Sequence, residues 1–309
     1  MMLLALAAVL PGVFWDGAPS KAPAIREAGV HHIFVSPDQV EAWKKVEDIV
    51  AEAVDLRLSM KLKPPAVNYR FEQASASRVP WIDANGWQFM RQPDGRYYYD
   101  AAGERASLAA AEAFAWHARA IVKTDEAGLA PLARMLAFLR SLPEGGGEDV
   151  TDIGFVDDGG AVAGEVMNLL VRGNLLFRVT RAPDPKLKLN VKLGTARYPV
   201  EQARNPAAMA QMIRADLTDD ARSLRIYGSA VVIGRIESAP GRMRLHLINY
   251  DTNRKVNGVR VRVAGQFKNA KLMLADLPSG KLLDFGAMAD ATEFTVPELK
   301  SYAVVDLTK

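Results

Sequence analysis

The chain contains no cysteine in its 309 residues. That absence excludes disulfides, thiolate metal ligands and a cysteine nucleophile. Histidine is almost as scarce. His31 and His32 adjoin at the start of a strand-like run and so point to opposite faces, while His117 and His246 stand alone. Such a distribution offers no clustered ligands, so no metal site is expected, and a Ser-His-Asp triad has no support in spacing. A surplus of charge is also missing: 39 Lys plus Arg stand against 36 Asp plus Glu, a formal net charge of +3. Nucleic-acid binding needs a concentrated basic face. The nearest approach, Lys186-Leu-Lys188 with Lys192, reads as the wet face of a strand, and no nucleic-acid partner is expected. Phosphate-loop spacing is lacking too. Asp157-Asp158-Gly159-Gly160 follows a strand and opens a helix, but it has neither GxGxxG nor a Walker lysine, and its carboxylates repel phosphate. No cofactor is expected.

No apolar run is long enough to span a bilayer. The first eleven residues, Met-Met-Leu-Leu-Ala-Leu-Ala-Ala-Val-Leu-Pro, have the apolar character of a secretory signal core without the basic residues that precede one. Residues 1–11 therefore read as the remnant of a signal peptide, pointing to secretion or the periplasm. The other reading is a lead-in to the first strand, with a cytoplasmic location.

What the chain does have is a globular composition, 49% apolar and 24% charged, at a length sufficient for two or three domains. Gly12-Val-Phe-Trp-Asp16-Gly17 reads as a strand closing on a carboxylate and a glycine turn. A short helix over residues 21–28, capped by Ser20, leads to a strand over 31–35, and Ser36-Pro37-Asp38 opens a further helix. This βαβ rhythm predicts a parallel sheet covered by helices. Residues 46–63 mix helix and strand periods, 66–69 read as a strand, and 71–77 as a polar loop containing Glu72 and Gln73.

The stretch from Arg78 to Asp125 carries the candidate site. Strands over 79–83 and 118–124 each deliver a carboxylate near their C-terminal ends, Asp83 and Asp125, with Glu126 beside the second. Ligands of α/β layers usually sit beyond the C-terminal ends of the strands. Between the carboxylates lie Trp81, Asn85, Trp87 and Tyr97-Tyr98-Tyr99. Pro93-Asp94-Gly95 is a turn signal whose aromatic flanks predict a β-hairpin, and Gly86 is expected to take a positive φ. In the blander reading the two aspartates cap the turn and helix that follow them, and the tryptophans pack the core. Residues 129–142 form an amphipathic helix. Pro143-Glu-Gly-Gly-Gly-Glu148 is the clearest flexible break.

A second βαβ unit follows, then a helix begun by Asn205 and Pro206. From Leu224 the period becomes two, with strand-like runs separated by turns such as Asn257-Gly258, and these predict an antiparallel sandwich. Val259, Val261 and Val263 face its core, with Arg260 and Arg262 toward solvent.

Arg225-Ile-Tyr-Gly-Ser-Ala-Val-Val-Ile, His246-Leu-Ile-Asn-Tyr-Asp251 and Val296-Pro-Glu-Leu-Lys-Ser-Tyr-Ala-Val-Val305 resemble the joining strand and terminal strands of glycoside-hydrolase-like proteins, the multidomain bacterial β-galactosidases in particular. The resemblance implies an α/β fold with an abbreviated or incomplete TIM-like (β/α) barrel over 12–145, an amidotransferase-like α/β unit over 149–222, and a C-terminal β-sandwich over 223–309. A complete barrel takes about 250 residues, which is why the first layer is expected to be incomplete. No Asn-Glu dipeptide, the usual setting of the acid in such families, occurs in the chain.

The function this implies is hydrolysis of a glycosidic bond in an oligo- or polysaccharide, which needs one carboxylic acid and one carboxylate. Asp83 and Asp125 or Glu126 are the catalytic candidates. Asp16, Trp81, Asn85, Trp87, Tyr97, Tyr99 and Lys123 are the candidate sugar contacts, the aromatics offering flat apolar faces. The alternative is a catalytically inactive carbohydrate-binding or structural protein on a degenerate barrel.

Overall fold

The computed structural model describes residues 10–69, 79–145, 147–278 and 280–309. Most of the apolar start and the polar loop expected over 71–77 lie outside the described residues. The chain packs as two compact units: the described residues of Met1–Ala66 with Pro93–Gly145, and those of Val67–Gln92 with Gly146–Lys309. Among the described residues no helix is long and apolar enough to cross a membrane.

From the N-terminus come β1 (Gly12–Phe14), α1 (Ala22–Glu27), β2 (His32–Val35), α2 (Val40–Trp43), β3 (Val50–Ala53) and β4 (Met60–Leu62). β5 (Ala66–Asn68) and β6 (Trp81–Asp83) form a two-stranded sheet of their own. Then follow α3 (Gly86–Arg91), β7 (Arg96–Asp100), α4 (Glu104–Ala115), β8 (Arg119–Lys123) and α5 (Glu126–Ser141). Six strands of the first unit form one sheet in the order β3-β2-β1-β8-β7-β4, every pair parallel. That order is the chain order 1-2-3-4-7-8 written round a ring and cut between β3 and β4.

One face of this sheet is a core of Val13, Ile33, Val35, Ala120, Val122, Tyr97, Tyr99 and Leu62. Helix α4 covers part of it. All ten residues from Ala106 to Ala115 are buried, and seven of them are alanine or serine, so the helix can lie close on every side. Tyr99 Oη donates to the buried Glu112 carboxylate of α4 at 2.7 Å. Helix α5 buries Leu129, Leu132, Met135, Leu136 and Leu139, the apolar stripe its sequence predicts.

In the second unit, β9 (Glu148–Asp149) precedes β10 (Ile153–Val156), α6 (Ala161–Arg172), β11 (Phe177–Thr180), β12 (Leu189–Lys192), α7 (Val200–Ala203) and α8 (Pro206–Leu217). Strand β10 lies parallel between β11 and β12. Asn205 caps α8 by accepting from the Ala208 amide. The remaining strands are β13 (Leu224–Tyr227), β14 (Val232–Ala239), β15 (Arg242–Asn249), β16 (Val256–Ala264), β17 (Asn269–Leu274), β18 (Leu283–Ala287), β19 (Ala291–Leu299) and β20 (Tyr302–Thr308). They build two antiparallel sheets, β13-β16-β19-β18 and β17-β20-β15-β14-β9, which share one core of Val259, Val261, Val263, Phe294, Leu245 and Val305 among others. Arg260 pairs with Glu293 on the outer side at 2.5 Å, as the alternation predicts.

Several local expectations are corrected. Trp87 to Met90 is not a hairpin strand but lies in helix α3, where Phe89 is buried. The other expected arm, β7, pairs with β4 and β8, both parallel. Aromatic content drove the hairpin reading, yet aromatics bury as well on a short helix as on a strand. Gly86 starts α3 and is not among the positive-φ glycines. Asn257-Gly258 lies inside β16 rather than in a turn. Lys188 lies just before β12 and is exposed, as expected, but its ammonium is also tied down: it bonds Asp152 at 2.7 Å, the Ala221 carbonyl at 2.8 Å and Ser223 Oγ at 2.9 Å.

Candidate functional site

The second face of the six-stranded sheet is left half-open. Paired residues of parallel strands project to the same side, so the register assigns this face row by row. Nearest the C-terminal ends of the strands, Glu52, Phe34, Phe14, Lys123 and Asp100 form one row across β3, β2, β1, β8 and β7. The next row holds Gly12, Ile121, Tyr98 and Lys61 across β1, β8, β7 and β4. Arg119 and Arg96 make the third. Phe14 is buried, Phe34, Tyr98, Ile121 and Lys123 are half-buried, and the other charged groups are exposed. Gly12 makes the floor possible, because a Cβ there would stand 2.4 Å from the Phe34 ring.

Charge concentrates at the C-terminal end. Lys123 Nζ meets Asp16 at 2.5 Å, just past β1. The hydrogen bond to Asp16, opposed by partial burial, raises the Lys123 pKa, and the charges of Asp16 and Asp100 add to the rise. Lys123 is therefore an ammonium at neutral pH. Lys61 reaches Asp100 at 3.4 Å, and His32 reaches Glu52 at 3.0 Å. Two carboxylates, Asp16 and Asp100, thus flank one cation above an aromatic floor.

Of the residues singled out in the sequence, the structure brings Asp16 and Lys123 together here. Tyr97 and Tyr99 lie on the opposite face, buried at 1% and 0%, while Tyr98 between them belongs to the half-open face. Asp125 is the N-cap of α5: its Oδ1 accepts from the Gly128 amide at 2.9 Å and the Gly103 amide at 3.1 Å. Glu126 pairs with Lys21 at 2.5 Å on an exposed surface.

Asp83, Trp81, Asn85 and Trp87 belong to the second unit. Asp83 accepts from Asn68 Nδ2 at 2.7 Å and from Trp81 Nε1 at 3.2 Å. The Arg172 guanidinium lies 3.8 Å from the centre of the Trp81 ring, a cation–π stack. Asn85 is buried and accepts from Gln88 at 3.1 Å. Trp87 lies over Gly164, where a Cβ would come within 3.0 Å of its ring, and Arg91 stands 5.4 Å from its centre. That arginine is held by Asp157 through two bonds of 2.8 and 2.7 Å.

Asp100, Lys61, Phe14 and Phe34 are not among the contacts expected from the sequence, and Tyr98 is expected only together with its two neighbours. The separation of Tyr98 and Asp100 from those neighbours is within reach of the sequence. With β7 assigned as a strand, period two puts Tyr98 and Asp100 on the face opposite Tyr97 and Tyr99. Lys61 joins them only through register.

No protein-family model matches the chain, and no curated protein matches it in sequence. Among solved structures it is similar to the α-L-fucosidase isoenzyme 2 from Paenibacillus thiaminolyticus, with a TM-score of 0.52 and 9% identity over 96% of this chain and 77% of that one. It is also similar to a rhamnosidase from Novosphingobium sp. PP1Y, with a TM-score of 0.47 and 9% identity over 89% of this chain, which spans 37% of that chain. At such identity the likeness is one of architecture: the chain has a mixed α/β fold similar to that of the fucosidase.

Proposed function

We propose that this is a carbohydrate-active protein of the glycoside-hydrolase type, and that its first unit is an abbreviated barrel whose inner face binds a sugar chain. The shortness of one connection supports the barrel. Laid flat, six strands would hold β3 and β4 about 24 Å apart, five spacings of about 4.8 Å. Residues 54–59 join them and must also return from the end of one strand to the start of the next. Seven Cα steps reach at most about 25 Å, and the 3₁₀ turn Leu56–Leu58 shortens that to about 20 Å. A curled sheet relieves the conflict. Its concave side is then the face carrying Phe14, Phe34, Tyr98, Asp16, Lys123 and Asp100.

The observation that carries the reading is the pair Asp16 and Asp100 on either side of Lys123, at the C-terminal ends of parallel strands. Barrel enzymes place their chemistry at that end. The rings of Tyr98 and Phe34 offer flat surfaces to the C–H faces of a sugar, and the charged groups bond its hydroxyls. Hydrolysis would require one of the carboxyl groups to act as acid and the other as base or nucleophile.

A non-hydrolytic reading is favoured by one observation of its own. Each carboxylate anticipated from sequence already has a partner: Asp16 has Lys123, Glu126 has Lys21, Asp125 has two amides, and Asp83 has Asn68 and Trp81. The two readings separate on reducing-sugar release from a panel of oligo- and polysaccharides, using the native chain, D16N, D100N, D83A and D125A/E126A. Turnover lost in D16N or D100N with the fold intact supports hydrolysis on the strand face. Loss only in D83A or D125A/E126A moves the chemistry to those residues. Binding without turnover, weakened by Tyr98→Ala, supports the inactive form, and the absence of both rejects the carbohydrate reading.

A further inference from the structure

Arg96 and Arg119 are register partners on adjacent strands, on the same half-open face as the proposed site. Both are exposed, and neither side chain has an ion-pair or hydrogen-bond partner among the described residues. Like charges directly opposite across a strand pair repel and cost stability. Elsewhere on this face the lysines are matched: Lys123 has Asp16 and Lys61 has Asp100. The two arginines are therefore unmatched positive charge where the rest of the surface is balanced. Their forked guanidinium groups suit planar, two-point recognition of an oxyanion. Arg96 lies four residues from Asp100 along β7, about 13 Å, with Tyr98 midway. An extended ligand lying along the strand would touch the carboxylate end, the tyrosine ring and the arginines in turn.

We infer that the sugar chain taken by this face is acidic, bearing a carboxylate or a sulfate ester that Arg96 and Arg119 receive. The inference rests on the proposed carbohydrate function and deepens it. Calorimetry with the full chain tests it, using a galacturonate oligosaccharide, a sulfated galactan oligosaccharide and a neutral galacto-oligosaccharide, at low and at near-physiological salt.

The acidic ligand is expected to bind about tenfold tighter or more than the neutral one, with the margin shrinking as salt screens it. Arg96→Ala/Arg119→Ala removes that margin and leaves neutral binding as it was, and Arg96→Lys/Arg119→Lys, which keeps the charge without the fork, retains part of it. Tighter binding of the galacturonate identifies a carboxylate, and tighter binding of the sulfated galactan identifies a sulfate. Equal affinity for acidic and neutral chains overturns the inference while leaving the carbohydrate reading standing, as does a margin that survives the double alanine change. Failure of all three sugars to bind overturns both.

Discussion

Asp125 shows how one side chain can look catalytic in a sequence and act as a helix cap in the fold. Its Oδ1 takes two backbone amides, Gly128 and Gly103, so its removal strands donors at the start of α5. Asp125→Ala is expected to lower stability by about 1–2 kcal/mol, and Asp125→Asn or Ser by much less. Urea denaturation measures this, and a loss of activity in Asp125→Ala with undiminished stability would argue against the capping role. Glycine at position 128 belongs to the same design, since a Cβ there would fall 1.9 Å from Thr124 Oγ1. The cap was legible in the sequence as an aspartate before a strongly periodic helix. Its competing role as a sugar-cleaving carboxylate was equally legible, because sequence gives residue type without giving partners.

At the level of elements, period was the reliable guide and aromatic content the poor one. Helix α5 and the valines of β16 fall where their spacing places them. The three tyrosines of β7 illustrate the limit. Their alternation is fixed once β7 is a strand, but which face stays open depends on where the next helix, α4, packs, and alternation within β7 does not give that. Tyr99 has a further duty there, as its hydroxyl serves the buried Glu112. Tyr99→Phe withdraws a donor from a carboxylate that is 0% exposed and should cost about 1–3 kcal/mol. Thermal unfolding tests it, and a change near zero would show that the bond contributes little. The helical setting of Trp87 is not legible in the sequence, because a six-residue helix is too short to display a helical period. The irregular β18, whose register to β19 shifts between Leu283 and Gly286, carries no clean alternation to read.

For the molecule as a whole, the second unit hides a titratable group whose effect should be global. His246 is buried in β15, with Nδ1 2.5 Å from the Tyr302 hydroxyl and Nε2 3.1 Å from Glu237. Burial lowers its pKa from 6.5, against the pull of Glu237, and the charges of Arg235 and Arg244 lower it further. Burial also holds the Tyr302 phenol protonated well above its usual range. The phenol therefore donates to Nδ1, and Nε2–H donates to Glu237. A depressed folded pKa means that the unfolded chain takes up the proton first as pH falls. Stability is full above about pH 6.5 and declines below it, by at most about 1.4 kcal/mol per pH unit from this group. Carboxylates such as Asp219, held low by Arg214 and Arg222, matter only below the ordinary carboxylate range. Urea midpoints measured from pH 5 to 8 should therefore rise up to about pH 6.5 in the native chain and level off above it, with the rise flattened in His246→Gln. A native profile flat over that interval would contradict the assignment. The chain path has a consequence for synthesis as well. Strand β1 is flanked by β2 and by β8, and β8 begins more than a hundred residues after β1 does. At roughly 5–20 residues per second on the ribosome, β1 waits on the order of 5–20 s for its second neighbour. Over that interval Val67–Gln92 emerges too, although its described residues pack with those that follow Gly146. A nascent chain halted at the glycine-rich break would hold a complete parallel sheet and an orphaned insert. Separating the units at that break would leave α3 without the helix α6 on which it packs, so the two units are not separable gene segments.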